Sequence, residues 1–515
     1  MRKGLMITAL FALVSLSGTQ QAGVATGYVF HDKNANGRRD PGEPGIGNIR
    51  VSNQKVVTRT DASGRWSLPH DEDSIFFVVK PRGWMTPLNG HMLPQFCYIH
   101  KPAGSPPVKF GGVPPTGPLP SSIDFALRPQ REPNRFRAVF FGDPQPRDQR
   151  EIDYITHDVI EDLIGIDAAF GVTLGDVMYD DLSLFESLNS RIALIGIPWY
   201  NVLGNHDINY DATSDRYSDE TWERVYGPNY YSFDYGPTHF IVLDDVQWSG
   251  RTESDRGRYT AGLGRQQMEW IKNDLAQIPK DQLVVLLMHI PLVEVADRQE
   301  LYRLIEKRPY ALSVSAHTHY QEHKFITGED GWRGAQPHHH VINVTVCGSW
   351  WSGRPDELGI PHTTMRDGAP NGYSIFNFDG RKYDIEFRPA RRLANHQMNI
   401  YSPEAVPQVE ITKTAIQANV FAGNERTRVE MRVGNRGWRA MAKVLKPDPV
   451  YAEAYEMDTK LAAPYRSLPK PIDSPHLWEG SLPGDLKPGT HEIQVRARDM
   501  FGRVHTSSRI LRVTE

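Results

Sequence analysis

Between Asn134 and Gly380 the chain alternates two kinds of apolar segment, and this alternation limits the fold more than any other feature. The runs Phe136–Phe141, Ala168–Leu174, Trp199–Leu203, Phe240–Leu243 and Leu283–Met288 are short and apolar, as strands are. Between and after them, residues 152–163, 265–278 and 298–307 repeat their apolar side chains at helical spacing. Strands alternating with amphipathic helices predict an α/β core, with sheet layers covered by helices.

The flanks read differently. From Val24 to about Arg128, short alternating strands are separated by Gly, Pro and Asp. The tract from Lys101 to Ser122 is rich in turn residues and reads as a loop or linker. After about Arg392 the helical pattern fades, and segments such as His491–Arg503 and Ser508–Val513 alternate with period two. A chain of 515 residues is too long for one hydrophobic core. The predicted order is a signal peptide (1–22), an N-terminal β-sandwich (23–128), a central α/β domain (134–390) and a C-terminal β-sandwich (391–515).

Arg2 and Lys3, the mainly apolar stretch Leu5–Leu16, and the small residues Ser17, Gly18 and Ala22 form the pattern of a cleaved export signal. The run is too short to span a bilayer, and no later segment approaches the ~20 apolar residues a spanning helix needs. A periplasmic or secreted location follows as an expectation, with the mature chain beginning near Gly23. With 58 basic and 62 acidic residues the net charge is −4. That balance, without a basic tract, argues against a nucleic-acid partner and weakens the reading of an exported nuclease. The two cysteines, Cys97 and Cys347, fall in different predicted domains and are read as separate small apolar residues.

Ligand-type residues recur at the ends of the central strands. Val139-Phe-Phe-Gly-Asp143-Pro-Gln145 is one such end, and Val172-Thr-Leu-Gly-Asp176 is a second. Val202-Leu-Gly-Asn205-His206-Asp207 is a third, Val284 through His289 a fourth, and Val314-Ser-Ala-His317-Thr-His319 a fifth. In α/β folds ligands bind beyond the carboxyl ends of strands, so these five ends are placed to converge. Taken singly, each has an ordinary reading as a helix cap or turn. Oxygen and imidazole donors without thiolates suit Mn, Fe or Zn.

In this order the blocks resemble the calcineurin-like metallophosphoesterases, whose pattern runs D-x-H, G-D, G-N-H-[DE], a lone His and G-H-x-H. The resemblance covers about half of the chain. It implies a two-metal centre in which Asp143, Gln145 and His319 hold one ion and Asn205, His289 and His317 the other. Asp176 would bridge both. His206 would face the substrate, with Asp207 orienting its imidazole. Two departures stand out: Gln145 occupies the usual His position with a weaker amide donor, and Ala316 replaces the usual Gly. The implied reaction is hydrolysis of a phosphomonoester or phosphodiester of a small molecule, lipid or sugar. Two cations ~3.5–4 Å apart neutralise the phosphoryl oxygens and generate a bridging hydroxide near pH 7.

A separate loop, Asp32-Lys-Asn34-Ala-Asn36-Gly-Arg38-Arg-Asp40-Pro-Gly-Glu43, fits D-x-[DN]-x-[DN]-G-x₅-E. Alternating carboxylate and amide oxygens, a turn Gly and a final Glu suit structural Ca²⁺. With the following Thr60-Asp61-Ala-Ser-Gly-Arg-Trp66 it resembles the calcium-loop β-sandwich repeats of bacterial surface proteins. Tyr179, Asp180, Asn209, Tyr210, Trp350, Trp351 and Arg354 lie in loops at the same end of the sheet and are candidate pocket residues. The run His338–His340 reads as the entry to a strand. A calcium-stabilised surface scaffold with a non-catalytic central domain is the rival to the enzyme, and the intact ligand blocks count against it.

Overall fold

The computed structural model describes residues 23–458 and 461–515; the export signal expected at 1–22 lies outside them. The fold is mixed α/β. The N-terminal region forms two four-stranded sheets. One orders Arg65–His70, Gly23–His31, Phe125–Pro129 and Trp84–Met85, and the other Val57–Arg59, Arg50–Ser52, Ser74–Val78 and Cys97–His100. No helix among the described residues is long and apolar enough to cross a membrane.

The central region is built on two larger sheets. In the five-stranded sheet, Arg135–Phe141, Phe170–Leu174 and Trp199–Val202 run parallel, with Gly372–Asp379 and Lys382–Pro389 added antiparallel. In the six-stranded sheet, Thr238–Val242, Leu283–Leu287, Ala311–Ser315 and His338–Ile342 run parallel between the antiparallel edges Tyr231–Tyr235 and Glu322–Ile326.

Strands buried on both faces read as continuous apolar runs, because each face needs its own cover. In Arg135–Phe141, Phe136, Ala138 and Phe140 enter the core between the sheets, while Val139 and Phe141 pack on the helical layer with Ile152, Ile155 and Val159. The inter-sheet core is aromatic: Phe170 and Phe233 lie 5.4 Å from ring to ring, Tyr200 and Phe233 3.9 Å, and Phe136 and Phe240 6.4 Å. Fully burying one such ring contributes roughly 1.5–3 kcal/mol. Ile271, Leu275, Leu301 and Ile305, on helices Gly264–Leu275 and Arg298–Ile305, join the same cluster.

The C-terminal region is again a pair of sheets, one of four strands and one of five, closed over Ile416, Ala418, Met431, Ile493, Val495 and Leu511. Its one longer helix, Pro449–Met457, begins where the Asp448 carboxylate accepts the Tyr451 N–H.

The Lys101–Ser122 tract is irregular, as its composition predicts, yet it is pinned to the central domain. The Lys101 ammonium lies 2.5 Å from Glu220 and 2.7 Å from Glu223, and Thr221 Oγ1 donates to the Gly111 carbonyl. A second tie is Arg50, paired with Asp234 at 2.6 Å and Asp274 at 3.3 Å. Removing one partner from such a buried pair costs about 3–5 kcal/mol.

Candidate metal centre

The carboxyl ends of both parallel strand sets meet at one edge. Gly142 bridges to Thr345, and the Val346 N–H donates to the Gly142 carbonyl at 2.7 Å, joining the end of the first sheet to the chain leaving the second. The loops leaving these strands carry all seven candidate ligands into one cluster, buried except at the half-buried His317. The ligand atoms of Asp176, His289 and His317 lie within 4.8 Å of one another. The Gln145 amide meets Asp176 Oδ2 at 2.9 Å, His289 Nε2 lies 3.1 Å from Asn205 Oδ1, and His317 Nδ1 lies 3.0 Å from His289 Nε2. Asp143 accepts the His317 N–H at 3.0 Å, and His319 Nε2 stands 4.0 Å from Asp143.

Local backbone makes this crowding feasible. Asp143, Gln145, Asp176, His317 and His319 all have positive φ, between 37° and 71°. Such conformations cost of order 1–3 kcal/mol each and concentrate where the surrounding structure enforces them for function. The glycine before Asn205 is required by space, since a Cβ on Gly204 would sit 2.0 Å from the Asp176 amide nitrogen. A Cβ on Gly175 would sit 2.4 Å from His289 Nδ1. The G-D and G-N-H spacings are therefore packing requirements of the centre itself.

The donor set fits metal ions. His289 Nδ1 donates to the Leu174 carbonyl at 2.9 Å and His319 Nδ1 to the Gly348 carbonyl at 2.7 Å, so each ring turns a free Nε2 inward. Burial first, and then neighbouring Asp176, push the Asp143 carboxyl up to about 8. Burial would lower His289, but Asp176 and Asp143 beside it raise it to about 10; burial takes His319 down to about 3. Two buried carboxylates, Asp143 and Asp176, set among imidazole nitrogens and an amide oxygen make a donor set suited to cations. Gln145 presents its amide nitrogen to Asp176, and a half-turn of that amide brings Oε1 to the same place.

His206 stands at the edge of this cluster, 21 % exposed at the side chain. Here the sequence-based assignment of its partner needs correction. Asp207 does not orient the imidazole: its carboxylate is buried and accepts the N–H groups of Gly204, Val177 and Met178 at 2.9–3.0 Å. The partner is Asp180, whose Oδ1 lies 2.6 Å from His206 Nδ1. Tyr179 stacks on the His206 ring at 4.6 Å, and the Arg147 guanidinium lies 4.0 Å over Tyr179.

Three other pocket assignments also change. Asn209 is fully buried and bonds with Thr221, and Trp351 is a core residue donating to the Pro144 carbonyl. Arg354 turns away to Asp458 and the Met457 carbonyl. Tyr179 and the half-buried Tyr210 and Trp350 do border the centre: Tyr210 donates to the Asn205 carbonyl at 2.7 Å, and Trp350 stacks on His319 at 3.9 Å. Tyr259 stands edge-on to His317 at 6.2 Å.

Sequence reasoning missed Arg147, Tyr259 and Asp245. The last is a buried strand-end acid that accepts the Ile290 N–H at 2.9 Å and the His289 N–H at 3.3 Å. The rule that found Asp143 and Asp176 would also have found it.

His338 and His340 are buried against Ser313, and His339 against His323 and Tyr383. Both cysteines are free. In the N-terminal loop, Asp32 accepts the N–H groups of Asn36 and Gly37, and Glu43 those of Lys33 and Asp40. The Asn34 and Asn36 amides donate to Asp40, and the Arg38 N–H donates to Asn36 Oδ1.

Residues 136–321 match the family described as calcineurin-like phosphoesterase, and residues 340–505 the one described as the C terminal of calcineurin-like phosphoesterase. The chain thus carries a calcineurin-like phosphoesterase domain together with that family's C-terminal region, which begins within the last strands of the central sheets. No curated protein matches this chain. Among solved structures, a purple acid phosphatase from yellow lupin (Lupinus luteus) seeds is similar over 71% of this chain and 66% of that one, at 14% identity and a TM-score of 0.37.

Proposed function

We propose that the chain is an exported phosphoesterase that uses two metal ions (Mn, Fe or Zn) to hydrolyse a phosphomonoester or phosphodiester of a small molecule, lipid or sugar. One observation carries this reading: seven side chains from five strand ends, Asp176 among them, bring their oxygen and nitrogen donors into one cluster. Asp143, Gln145 and His319 would hold one ion, Asn205, His289 and His317 the other, with Asp176 shared. When bound, the ions supply Lewis acidity toward the phosphoryl oxygens and an activated water.

The side chains supply the rest. His206, held from behind by Asp180 and stacked on Tyr179, keeps its other nitrogen free to donate a proton or hydrogen bond to the leaving oxygen. Tyr179, Tyr210, Tyr259 and Trp350 form aromatic walls around the centre, suited to a substituent with a flat or apolar face. Export rests on the leader-like pattern of residues 1–22. With Mn²⁺, Zn²⁺ or iron supplied, purified protein is expected to hydrolyse at least one class in a panel of mono- and diesters. Strong chelator should stop turnover and added metal restore it. Full turnover by metal-free protein would sink the two-metal reading.

We assign the 32–43 loop a structural calcium ion, on the strength of its ligand spacing and the burial of Asp32 and Glu43. Calcium is expected to raise the melting temperature of the parent protein but not that of Asp32→Ala or Glu43→Ala, with turnover unchanged in both. An unmoved parental melting curve leaves the loop a turn closed by its own hydrogen bonds.

A further inference from the structure

The loop that carries Trp350 is held from outside the central domain. Arg466, beyond helix Pro449–Met457, donates Nη2 to the Trp350 carbonyl at 2.8 Å and to the Trp351 carbonyl at 3.4 Å, and pairs with Glu151. Its own carbonyl accepts the Gly353 N–H at 2.8 Å. Glu151 is 1% exposed, and its second oxygen accepts the Arg147 N–H at 2.8 Å. Arg147 in turn donates Nη1 to the same Trp350 carbonyl at 3.1 Å. Two guanidinium groups from different domains therefore converge on one carbonyl and one buried carboxylate.

From this knot two ring stacks lead inward: Trp350 onto His319, and Arg147 through Tyr179 onto His206. Trp350 and Trp351 hold φ of 55° and 52°. Two adjacent left-handed residues of this bulk are strained and persist only where other contacts impose them. The contacts that impose them here are the two arginines, the Trp351 ring in the core and the His319 stack.

We propose that Arg466 is a positioning residue for the metal centre: through the Trp350 carbonyl it fixes the indole that orients His319, so that the C-terminal domain completes the site. The proposal rests on His319 being a ligand, as assigned above. Arg466 itself touches neither a ligand side chain nor the place of the substrate.

Arg466→Met keeps the aliphatic stem and removes the fork. Outer partners of metal ligands typically contribute ~10–100-fold to affinity or activity, so kcat should fall at least ~10-fold with KM nearly unmoved. In Mn²⁺ titrations of metal-free protein, one of the two binding steps should weaken by a similar factor. Trp350→Ala should show the same losses, and the double variant should be no worse than Trp350→Ala alone, because both changes act through one contact. Parental affinity and kcat in Arg466→Met, or additive losses in the double variant, overturn the proposal. Should Arg466→Met fail to fold, Arg466→Lys carries the test: it keeps the charge facing Glu151 but not the fork, and parental values in it overturn the proposal as well. A parent protein that hydrolyses no phosphoester defeats the functional reading, whereas the Mn²⁺ titration still decides the role of Arg466.

Discussion

Asp176→Ala is expected to lose phosphoester turnover by on the order of 10³-fold or more and to bind at least one metal ion fewer per chain, measured by steady-state kinetics beside metal analysis. The reason is its position. Asp176 is 1% exposed, holds φ of 48°, and spends one oxygen on the Gln145 amide while the other meets His289 Nε2 at 3.2 Å and accepts the His206 N–H at 2.9 Å. Its side chain meets Gln145 of one proposed ligand set and His289 of the other, so its loss removes the shared donor and loosens the turn carrying Asn205 and His206. Burial alone would raise its pKa, but His289 and His206 hold the carboxyl below its ordinary value, as suits a permanently charged ligand. Asp176→Asn keeps the shape and one oxygen and should lose less than Asp176→Ala. Turnover near the parent level in Asp176→Ala, with the parental melting temperature, would remove Asp176 from the centre.

The two departures from the family pattern sit differently in this frame. Gln145 keeps its amide facing Asp176, so it would offer the first of the proposed ions a weaker amide bond where an imidazole is usual. Ala316 is fully buried, and its N–H donates to the His289 carbonyl at 2.9 Å; the left-handed residues follow at His317 and His319, so the position before them accommodates a Cβ.

Much of this was legible in the sequence because the centre is written at strand ends. A buried strand announces itself by a run of apolar residues, and the chain direction then says at which end the next side chains emerge. Asp143, Asp176, Asn205, His289, His317 and His319 follow from that rule and from the order of the blocks. The period-two flanks were legible for the same reason.

What escaped is side-chain direction within loops and contact between distant segments. Asp207 follows His206 directly and so invites pairing with it, yet the turn tucks its carboxylate back onto Gly204, Val177 and Met178. The actual partner, Asp180, comes from the loop after a different strand. Trp350 and Trp351 are neighbours with the same backbone, but one ring goes to His319 and the other into the core. Arg354 turns outward to Asp458, while Arg466, distant in sequence, reaches in. None of these choices leaves a periodic signal.

His206→Ala separates metal assembly from proton transfer. The imidazole stands at the edge of the ligand cluster beside Asn205, with Nδ1 held by Asp180 and its face covered by Tyr179. Both metal ions should therefore remain bound in the variant, while kcat falls ~10²–10⁴-fold, the range for a positioned acid. The fall should be steep for alkyl phosphoesters, whose leaving oxygen needs a proton, and shallow for nitrophenyl esters, which leave unassisted. Asp180→Asn keeps the hydrogen-bonding shape but removes the charge that steadies the imidazolium. It should reproduce the same leaving-group dependence at smaller amplitude, and Asp207→Asn should instead lower the melting temperature, because that carboxylate holds three main-chain N–H groups. Equal losses on good and poor leaving groups would make His206 a phosphoryl-binding donor, and lost metal in His206→Ala would return it to the ligand set. A leaving-group dependence in Asp207→Asn that Asp180→Asn lacks would reverse the reassignment of the imidazole's partner.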